Sequence, residues 1–282
     1  TFSMRIKDEL SSGEWDDFCC IRSEMMGALV SSARFGNRTV NIATAHKGFA
    51  DRLSAMLGES YAADVRISHG SELYTLVCSD SRAYEEMIGD LEMVLGFDII
   101  RGTVSAEGFT DNCCRRAFLR GVFLASGSVS DPDKAYHLEF ATRRQSVAEL
   151  IARTLAGEDI TSGYLRRKGY HVIYVKEGQQ ISDFLLITGA HKAMLELESL
   201  MVDKSVRNTV NRVVNCDSAN IDRIALTGSR QYELLQELNE RCGLDFLPDE
   251  LKMAAEARLD NPDMSLRELG EIMDPPIGKS GM

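Results

Sequence analysis

Four of the seven cysteines stand in two adjacent pairs, Cys19-Cys20 and Cys113-Cys114. Thiolates are common zinc ligands, and two pairs related by a repeat could share one metal ion. However, neither pair has CxxC spacing, and no histidine stands at zinc-ligand spacing beside them. Adjacent cysteines on a regular helix point about 100° apart and do not bridge each other. The sequence therefore favours reduced, small, buried cysteines and predicts neither a metal site nor a cofactor.

Catalytic signatures based on histidine, serine or glycine are missing from the sequence. There is no HExxH pair and no recognisable Ser/His/Asp arrangement. The glycines that could form a phosphate loop, Gly157, Gly163 and Gly169, are isolated from one another. We therefore predict that the chain is not an enzyme. The histidines, which we expect to be hydrogen-bonded or exposed to solvent, are His46, His69, His137, His171 and His191.

Positive charge is concentrated in the middle of an acidic chain. The net charge is −11, yet residues 101–216 carry 16 basic and 13 acidic side chains, whereas residues 1–100 and 217–282 are each net −7. Basic residues on hairpins either bind phosphates or are solvated and protect a sheet edge, and both interpretations stay open. Phosphate contact would be asymmetric, because residues 67–72 of the first half are not basic. The candidates for DNA contact are Arg143, Arg144, Arg166, Arg167, Lys168 and Lys176.

Two stretches of the chain copy each other at an offset of 94 to 99 residues. In each, the cysteine pair is followed seven residues later by a glycine, Gly27 or Gly121, within an apolar helix. A strand, a second helix and a glycine-centred hairpin come next. A glycine inside a helix costs about 1 kcal/mol relative to alanine, and it usually marks close approach of another backbone. We expect the two helices to meet at these glycines in a pseudo-twofold saddle, a shape that suits duplex DNA.

The paired helices with central glycines resemble those of the LAGLIDADG homing endonucleases. In that fold each helix ends in an acid, and the two acids hold the metals that cleave DNA. The acid positions fall here on Ser32 and Ser126, which cannot bind Mg²⁺ as carboxylates do. The resemblance implies an α+β fold with αββαββα repeats at residues 1–98 and 111–214, without catalysis. A divergent endonuclease using acids such as Asp131 or Asp133 stays open as an alternative.

The last third of the chain is predicted to be helical. A long helix over Leu195–Val214 is expected to break at the polar segment 215–220. A domain over residues 221–282 then follows.

Pro248 opens a last segment with three short helical patterns, the first of which has Asp249 as its N-cap. After a turn at residues 261–264, Ser265 and Glu268 have the spacing of a capping box at the start of the second helix. Helix, tight break and helix is the layout of a helix-turn-helix DNA reader. A helical hairpin used for protein contacts is the alternative. The residues expected to meet DNA are Ser265, Arg267, Lys279 and Ser280.

The chain as a whole resembles the WhiA family. The resemblance rests on residues 116–128, Tyr136–Glu139, Ser265–Gly270 and Pro275–Gly281. It implies a bacterial transcriptional regulator that binds promoter DNA in the cytoplasm, at the nucleoid, and acts in sporulation, cell division or chromosome segregation. Family members continue past Met282 through a basic stretch, so we expect an incomplete recognition helix and weak DNA affinity.

The resemblance and the composition also limit which partners are expected. Double-stranded DNA is the expected ligand, with another transcription regulator or RNA polymerase as a further partner. The expected state is a monomer. No run of 18 apolar residues occurs, so no membrane span is expected. The net charge of −11 also fits a protein-interaction scaffold, in which the saddle binds a protein and only the C-terminal domain reads DNA; this alternative stays open.

Overall fold

Two copies of one α-β-β-α-β-β-α arrangement make up most of residues 1–202. The computed structural model describes residues 1–14, 17–105 and 109–282, which divide into two units, Thr1–Val202 and Asp203–Met282. The elements before and within the first copy are α1 (Phe2–Ser12), α2 (Phe18–Ser32), β1 (Arg34–Gly36), β2 (Thr39–Thr44), α3 (Lys47–Tyr61), β3 (Val65–His69), β4 (Tyr74–Cys78) and α4 (Ser81–Leu95).

The second copy repeats this order, which confirms the predicted αββαββα repeats. A two-stranded ladder lies between the copies, formed by β5 (Phe97–Asp98) and β6 (Thr103–Val104). The second copy contains α5 (Asn112–Ser126), β7 (Gly127–Val129), β8 (Leu138–Thr142), α6 (Gln145–Ala156), β9 (Gly163–Arg167), β10 (Tyr170–Val175) and α7 (Gly178–Thr188).

Each copy has one antiparallel sheet, with strand order β1-β2-β4-β3 in the first and β7-β8-β10-β9 in the second. Side chains alternate between the faces of a strand, and β8 shows this clearly. Leu138 and Phe140 are buried against the helices, and Phe140 packs on Phe184 of α7 with ring centroids 5.5 Å apart. Glu139 and Ala141 point the other way, to what we call the open face of the sheet.

The two copies meet through α2 and α5, which pack against each other as parallel helices. Gly27 and Gly121 lie in this contact, as the sequence predicts. A Cβ atom on Gly121 would clash with the Glu24 carbonyl oxygen, and one on Gly27 would clash, less severely, with the Phe118 carbonyl oxygen. Only glycine therefore lets the two backbones approach this far.

A buried ion network also joins the copies across the helix pair. The carboxylate of Glu24 on α2, 1% exposed, accepts hydrogen bonds from Arg52 of α3 at 2.6 and 3.0 Å. It also accepts one from Nε of Arg120 on α5 at 2.7 Å. Arg52 in addition donates to the Gly13 carbonyl oxygen at 2.8 Å. One buried carboxylate thus accepts hydrogen bonds from guanidinium groups of both copies, so the copies are joined by charged groups as well as by apolar packing.

Two predictions about this part of the chain are wrong. The cysteines are not uniformly buried: Cys20, Cys78 and Cys114 are buried, but Cys19 and Cys113 are exposed. The polar segment 215–220 does not break the helix, because α8 runs unbroken over His191–Cys242. That segment contains neither proline nor glycine, and polar residues cost only tenths of a kcal/mol each in a helix.

The second unit contains the end of α8 and two short helices, α9 (Asp249–Asp260) and α10 (Leu266–Ile272). The N-cap of α9 is Pro248 rather than the predicted Asp249, which is the first helical residue. The predicted capping box at the start of α10 is present: Ser265 accepts from the Glu268 amide, and the Glu268 carboxylate accepts from the Ser265 amide at 2.8 Å. Within the described ranges, no helix is both long and apolar enough to cross a bilayer.

Candidate nucleic-acid interface

A cleft of about 660 Å³ opens between the two sheets, where α2 and α5 both end. It is lined by the last residues of the two helices and by strand residues of both copies. The open faces of the two sheets therefore adjoin at this cleft. The lining includes Ser32, Arg34, Asn41, Ser126, Arg143, Arg144 and Tyr170.

Ser32 and Ser126 lie at equivalent positions in this cleft, at the ends of the two helices. Their hydroxyls donate back to the helices, Ser32 to the Ala28 carbonyl oxygen at 2.9 Å and Ser126 to the Val122 carbonyl oxygen at 3.1 Å. Among the described residues, no carboxylate lines the cleft. A divalent metal prefers carboxylate oxygens, so the cleft suits an anion better than a cation.

The alternative acids proposed from the sequence do not lie in the cleft. Asp131 and Asp133 are exposed in the turn between β7 and β8. The Asp131 carboxylate accepts a hydrogen bond from the amide of Asp133 at 3.1 Å, as is usual for an aspartate that stabilises a turn. Neither residue is among the cleft-lining residues.

Arg143 lies at the mouth of the cleft on a tyrosine platform. Its guanidinium lies over the Tyr170 ring, 5.0 Å from the centroid, and donates to the Tyr170 hydroxyl at 3.2 Å. The side chain is exposed, and the stacking holds it in place. An oriented and exposed guanidinium of this kind is well suited to a phosphate group.

Arg144 is engaged in a different way, although the sequence places it beside Arg143. Its guanidinium donates to the carbonyl oxygens of Val30 at 2.9 Å and Ala33 at 3.0 Å, at the end of α2. It also lies against the rings of Phe35 and Phe97, 5.8 and 5.7 Å from their centroids. Burial lowers its pKa from the usual value. These contacts fix Arg144 as a cap that the second copy provides to α2 of the first.

The basic residues of the β9–β10 hairpin divide between the two faces. Arg167 pairs with Tyr170 in the ladder, so it shares the open face, where it lies 3.4 Å from the Glu139 carboxylate. Arg166 pairs with His171, whose neighbour across β8 is the buried Thr142, so it lies on the opposite face. Lys168 takes a φ of 50° in the two-residue turn and is exposed. The ammonium of Lys176 lies 4.8 Å from the Tyr174 ring centroid.

Two arginines of the first copy, which were not among the predicted DNA contacts, share the open face. Arg34 pairs with the cleft residue Asn41 across β1 and β2, and Arg66 pairs with Val77, the other neighbour of Asn41. Both are exposed. The sequence could have identified Arg34 as a candidate, because it lies only two residues after Ser32. Among the described strand residues, Glu139 is the one carboxylate on the open face of either sheet.

A second basic surface lies in the second unit, in a groove of about 460 Å³ between α8 and α10. Ser265, Arg267 and Lys279 are brought together here, as is Arg223 of α8. Arg267 is exposed and pairs with Glu271 at 2.9 Å. Ser280 is exposed but does not line the groove. Hydrogen bonds from the Ser265 amide and hydroxyl to its carboxylate lower the pKa of Glu268, which keeps the capping box charged.

The turn between α9 and α10 is held by a buried arginine. Arg258 donates to the carbonyl oxygens of Asn261 at 3.4 Å, Pro262 at 3.3 Å and Met264 at 2.5 Å. Gly228 of α8 lies against the same turn, since a Cβ atom there would come 2.6 Å from the Pro262 carbonyl oxygen. Arg258 and the close approach of Gly228 thus hold the turn that joins the two short helices.

Comparison with known proteins agrees with both parts of this description. A model of the WhiA LAGLIDADG-like domain matches residues 115–207, and a model of the WhiA C-terminal HTH domain matches residues 210–282. The probable cell division protein WhiA of Alkaliphilus metalliredigens is 38% identical, over 100% of this chain and 94% of that protein. Its counterpart from Ruminiclostridium cellulolyticum is 37% identical, over 100% and 93%.

Solved structures show the same architecture. The full-length WhiA crystal structure from Thermatoga maritima superposes with a TM-score of 0.65 at 25% identity, over 99% of this chain and 93% of that one. An N-terminal LAGLIDADG domain of WhiA superposes on 67% of this chain and 92% of its own with a TM-score of 0.55, at 21% identity. With the repeated αββαββα unit, the helix-turn-helix and the full-length sequence identity together, this chain belongs to the WhiA family.

Proposed function

We propose that this chain is a non-catalytic DNA-binding transcriptional regulator that acts in cell division, chromosome segregation or sporulation. The two repeats, over residues 1–98 and 111–214, present one DNA-facing surface, and residues 221–282 read sequence. The relatives that support the cellular role are named as probable cell division proteins. The ligand is promoter-region duplex DNA, and the protein works as a monomer at the nucleoid.

The observation that carries the proposal is the composition of the cleft. The two helix ends present serine hydroxyls that are already used within the helices. Arginines from both copies, Arg34 and Arg143, line the same cleft. Arginine binds phosphate oxygens readily, whereas phosphodiester cleavage of this kind needs bound metal ions. The cleft therefore favours binding over cleavage.

Two surfaces divide the work of recognition. Arginines on the open face contact phosphates, which positions a protein on DNA without reading its sequence. The groove residues Ser265, Arg267 and Lys279 lie at the start of α10 and after it, where a helix-turn-helix meets base edges. Affinity should thus depend on the first unit and preference between sequences on the second.

A cleavage assay tests the non-catalytic part. Supercoiled plasmid and promoter fragments are incubated with the protein in Mg²⁺ and in Mn²⁺, and we expect no specific double-strand break. The variant Ser32→Asp/Ser126→Asp serves as a comparison with acids restored at the helix ends. Specific cleavage by the wild-type protein that is lost on replacing Asp131 or Asp133 would overturn the proposal in favour of a divergent endonuclease.

A salt titration of DNA binding tests the role of the open face. We expect Arg143→Ala/Arg167→Ala to weaken binding to all sequences alike. It should flatten the slope of log affinity against log salt by about 2 units, because each lost phosphate contact removes about 0.9. Arg166→Ala is the matched control on the other face and should leave the slope unchanged. If the double variant keeps its affinity and slope, the first unit does not bind DNA and the scaffold alternative takes its place.

A further inference from the structure

The four cysteines of the two adjacent pairs converge at one point of the first unit. Their sulfur atoms all lie within 4.8 Å of one another. The Cys19 and Cys20 sulfurs are 3.9 Å apart, and those of Cys113 and Cys114 are 4.0 Å apart. In the described parts of the chain, this is the one group of thiols, imidazoles and carboxylates compact enough to hold a metal ion.

The convergence follows from the repeat. α2 begins at Phe18 and α5 at Asn112, so each cysteine pair occupies the second and third positions of its helix. The helices run parallel and cross at equivalent glycines, which brings their N-terminal ends together. The pseudo-twofold axis that relates α2 and α5 therefore places the two cysteine pairs face to face.

Packing alone does not explain this arrangement. Cys20 and Cys114 are buried and could simply fill space in the core. Cys19 and Cys113 are exposed, and an exposed residue does not need to direct a thiol toward three others. A metal ion bound at the surface of the helix pair accounts for two exposed and two buried thiols that share one point.

The distances between sulfur atoms select the kind of metal site. Zinc binds thiolates at about 2.3 Å, which places the four sulfurs of a tetrahedral site about 3.8 Å apart. The observed distances lie at or moderately above this value. An iron–sulfur cubane attaches its four cysteines to four different iron atoms, so it needs a wider set of sulfurs than this.

From this geometry we infer that Cys19, Cys20, Cys113 and Cys114 bind a single zinc ion that fastens the N-terminal ends of α2 and α5. All four ligands come from the protein, so the site has no open position for substrate and is structural. The zinc joins the two repeats at the end opposite the DNA-facing cleft. It stabilises the domain without taking part in binding DNA.

Metal analysis of the full chain tests the inference directly. The protein is produced with zinc in the medium, purified under reducing conditions and analysed by mass spectrometry for metals. We expect about one zinc per chain. Cys20→Ser/Cys114→Ser should reduce zinc to background, whereas the matched control Cys216→Ser/Cys242→Ser, at two exposed cysteines of α8, should retain it. Zinc at background in the wild-type protein, or equal loss in both double variants, would overturn the inference.

A measurement on the wild-type chain covers the case in which the cysteine variant does not fold. Metal-free protein is titrated with Co²⁺, and we expect one equivalent to produce the visible bands of tetrahedral tetrathiolate cobalt, which Zn²⁺ then abolishes. Zinc should also protect four thiols from alkylation while Cys216 and Cys242 react. An octahedral cobalt spectrum would contradict the inference, as would disulfides among the four cysteines in protein purified without oxygen.

Discussion

The two ends of the α2–α5 helix pair differ in chemistry although the same symmetry builds them. At the C-terminal ends, Ser32 and Ser126 bring only hydroxyls to the cleft, and both hydroxyls are bonded within their own helices. At the N-terminal ends, four thiols converge within 4.8 Å. A pseudo-twofold delivers equivalent positions to one axis at both ends, so the residue type decides what each end can bind.

The largest expected effect is a loss of stability from a substitution at the point where α2 and α5 cross. Gly121→Ala should lower the free energy of unfolding by several kcal/mol, beyond the ~1–3 typical of overpacking, because the new methyl group meets the Glu24 backbone. Urea denaturation measures it. Gly89→Ala is the control, since a Cβ atom on that helical glycine would have no heavy atom within 4 Å; it should stabilise by about 0.5–1 kcal/mol. Equal effects at the two positions would contradict the close crossing.

The second prediction concerns the middle of the helix pair. Glu24→Gln should destabilise by about 3–5 kcal/mol, because it leaves Arg52 and Arg120 without their shared buried carboxylate. Thermal unfolding in the presence and absence of a chelator measures it. Glu86→Gln, which removes the exposed partner of Arg82, should leave the melting temperature unchanged. A Glu24 variant as stable as this control would mean that apolar packing alone holds the two repeats together.

The smallest expected effect is a pH dependence of stability that comes from Lys7, near the C-terminal end of α5. Lys7 of α1 donates to the Leu124 carbonyl oxygen near the end of α5, and burial lowers its pKa to about 8. An unfolded lysine titrates near 10.4, so between these values the unfolded state binds more protons and stability rises with pH. Relative to Lys7→Met, the wild-type protein should gain about 2 kcal/mol from pH 7.5 to 10. Lys47→Met, at an exposed lysine whose pKa is raised by its hydrogen bond with Asp51, should show no such gain; a flat difference for Lys7 as well would place it in solvent.

The sequence predicts the helix pair well because its evidence is local. Gly27 and Gly121 interrupt apolar helices at equivalent positions, and a glycine there has few explanations other than a close backbone. The capping box at Ser265 and Glu268 is equally local, since three residues of spacing define it. Such features depend on neighbours along the chain, and the structure confirms them.

What the sequence did not predict depends on contacts between distant residues. Glu24 looks like an isolated acid in an apolar helix until Arg52 and Arg120 are placed around it. The cysteine pairs lack any spacing typical of a metal site, because each supplies only half of the group. Arg144 looks like its neighbour Arg143 in sequence, yet Arg143 bonds to Tyr170 at the cleft, whereas Arg144 bonds to the end of α2.

Arg144 also sets an order of events during synthesis. His46 is its counterpart in the first repeat. It accepts a hydrogen bond from the Phe49 amide at 2.9 Å and contacts Asp8, so both of its partners belong to the first repeat. Arg144 instead bonds to Val30 and Ala33, carbonyls made more than 100 residues earlier. When the first repeat leaves the ribosome, α2 therefore has neither its cap nor its partner helix. The apolar face of α2 in the nascent first repeat therefore stays uncovered until the second repeat has been translated.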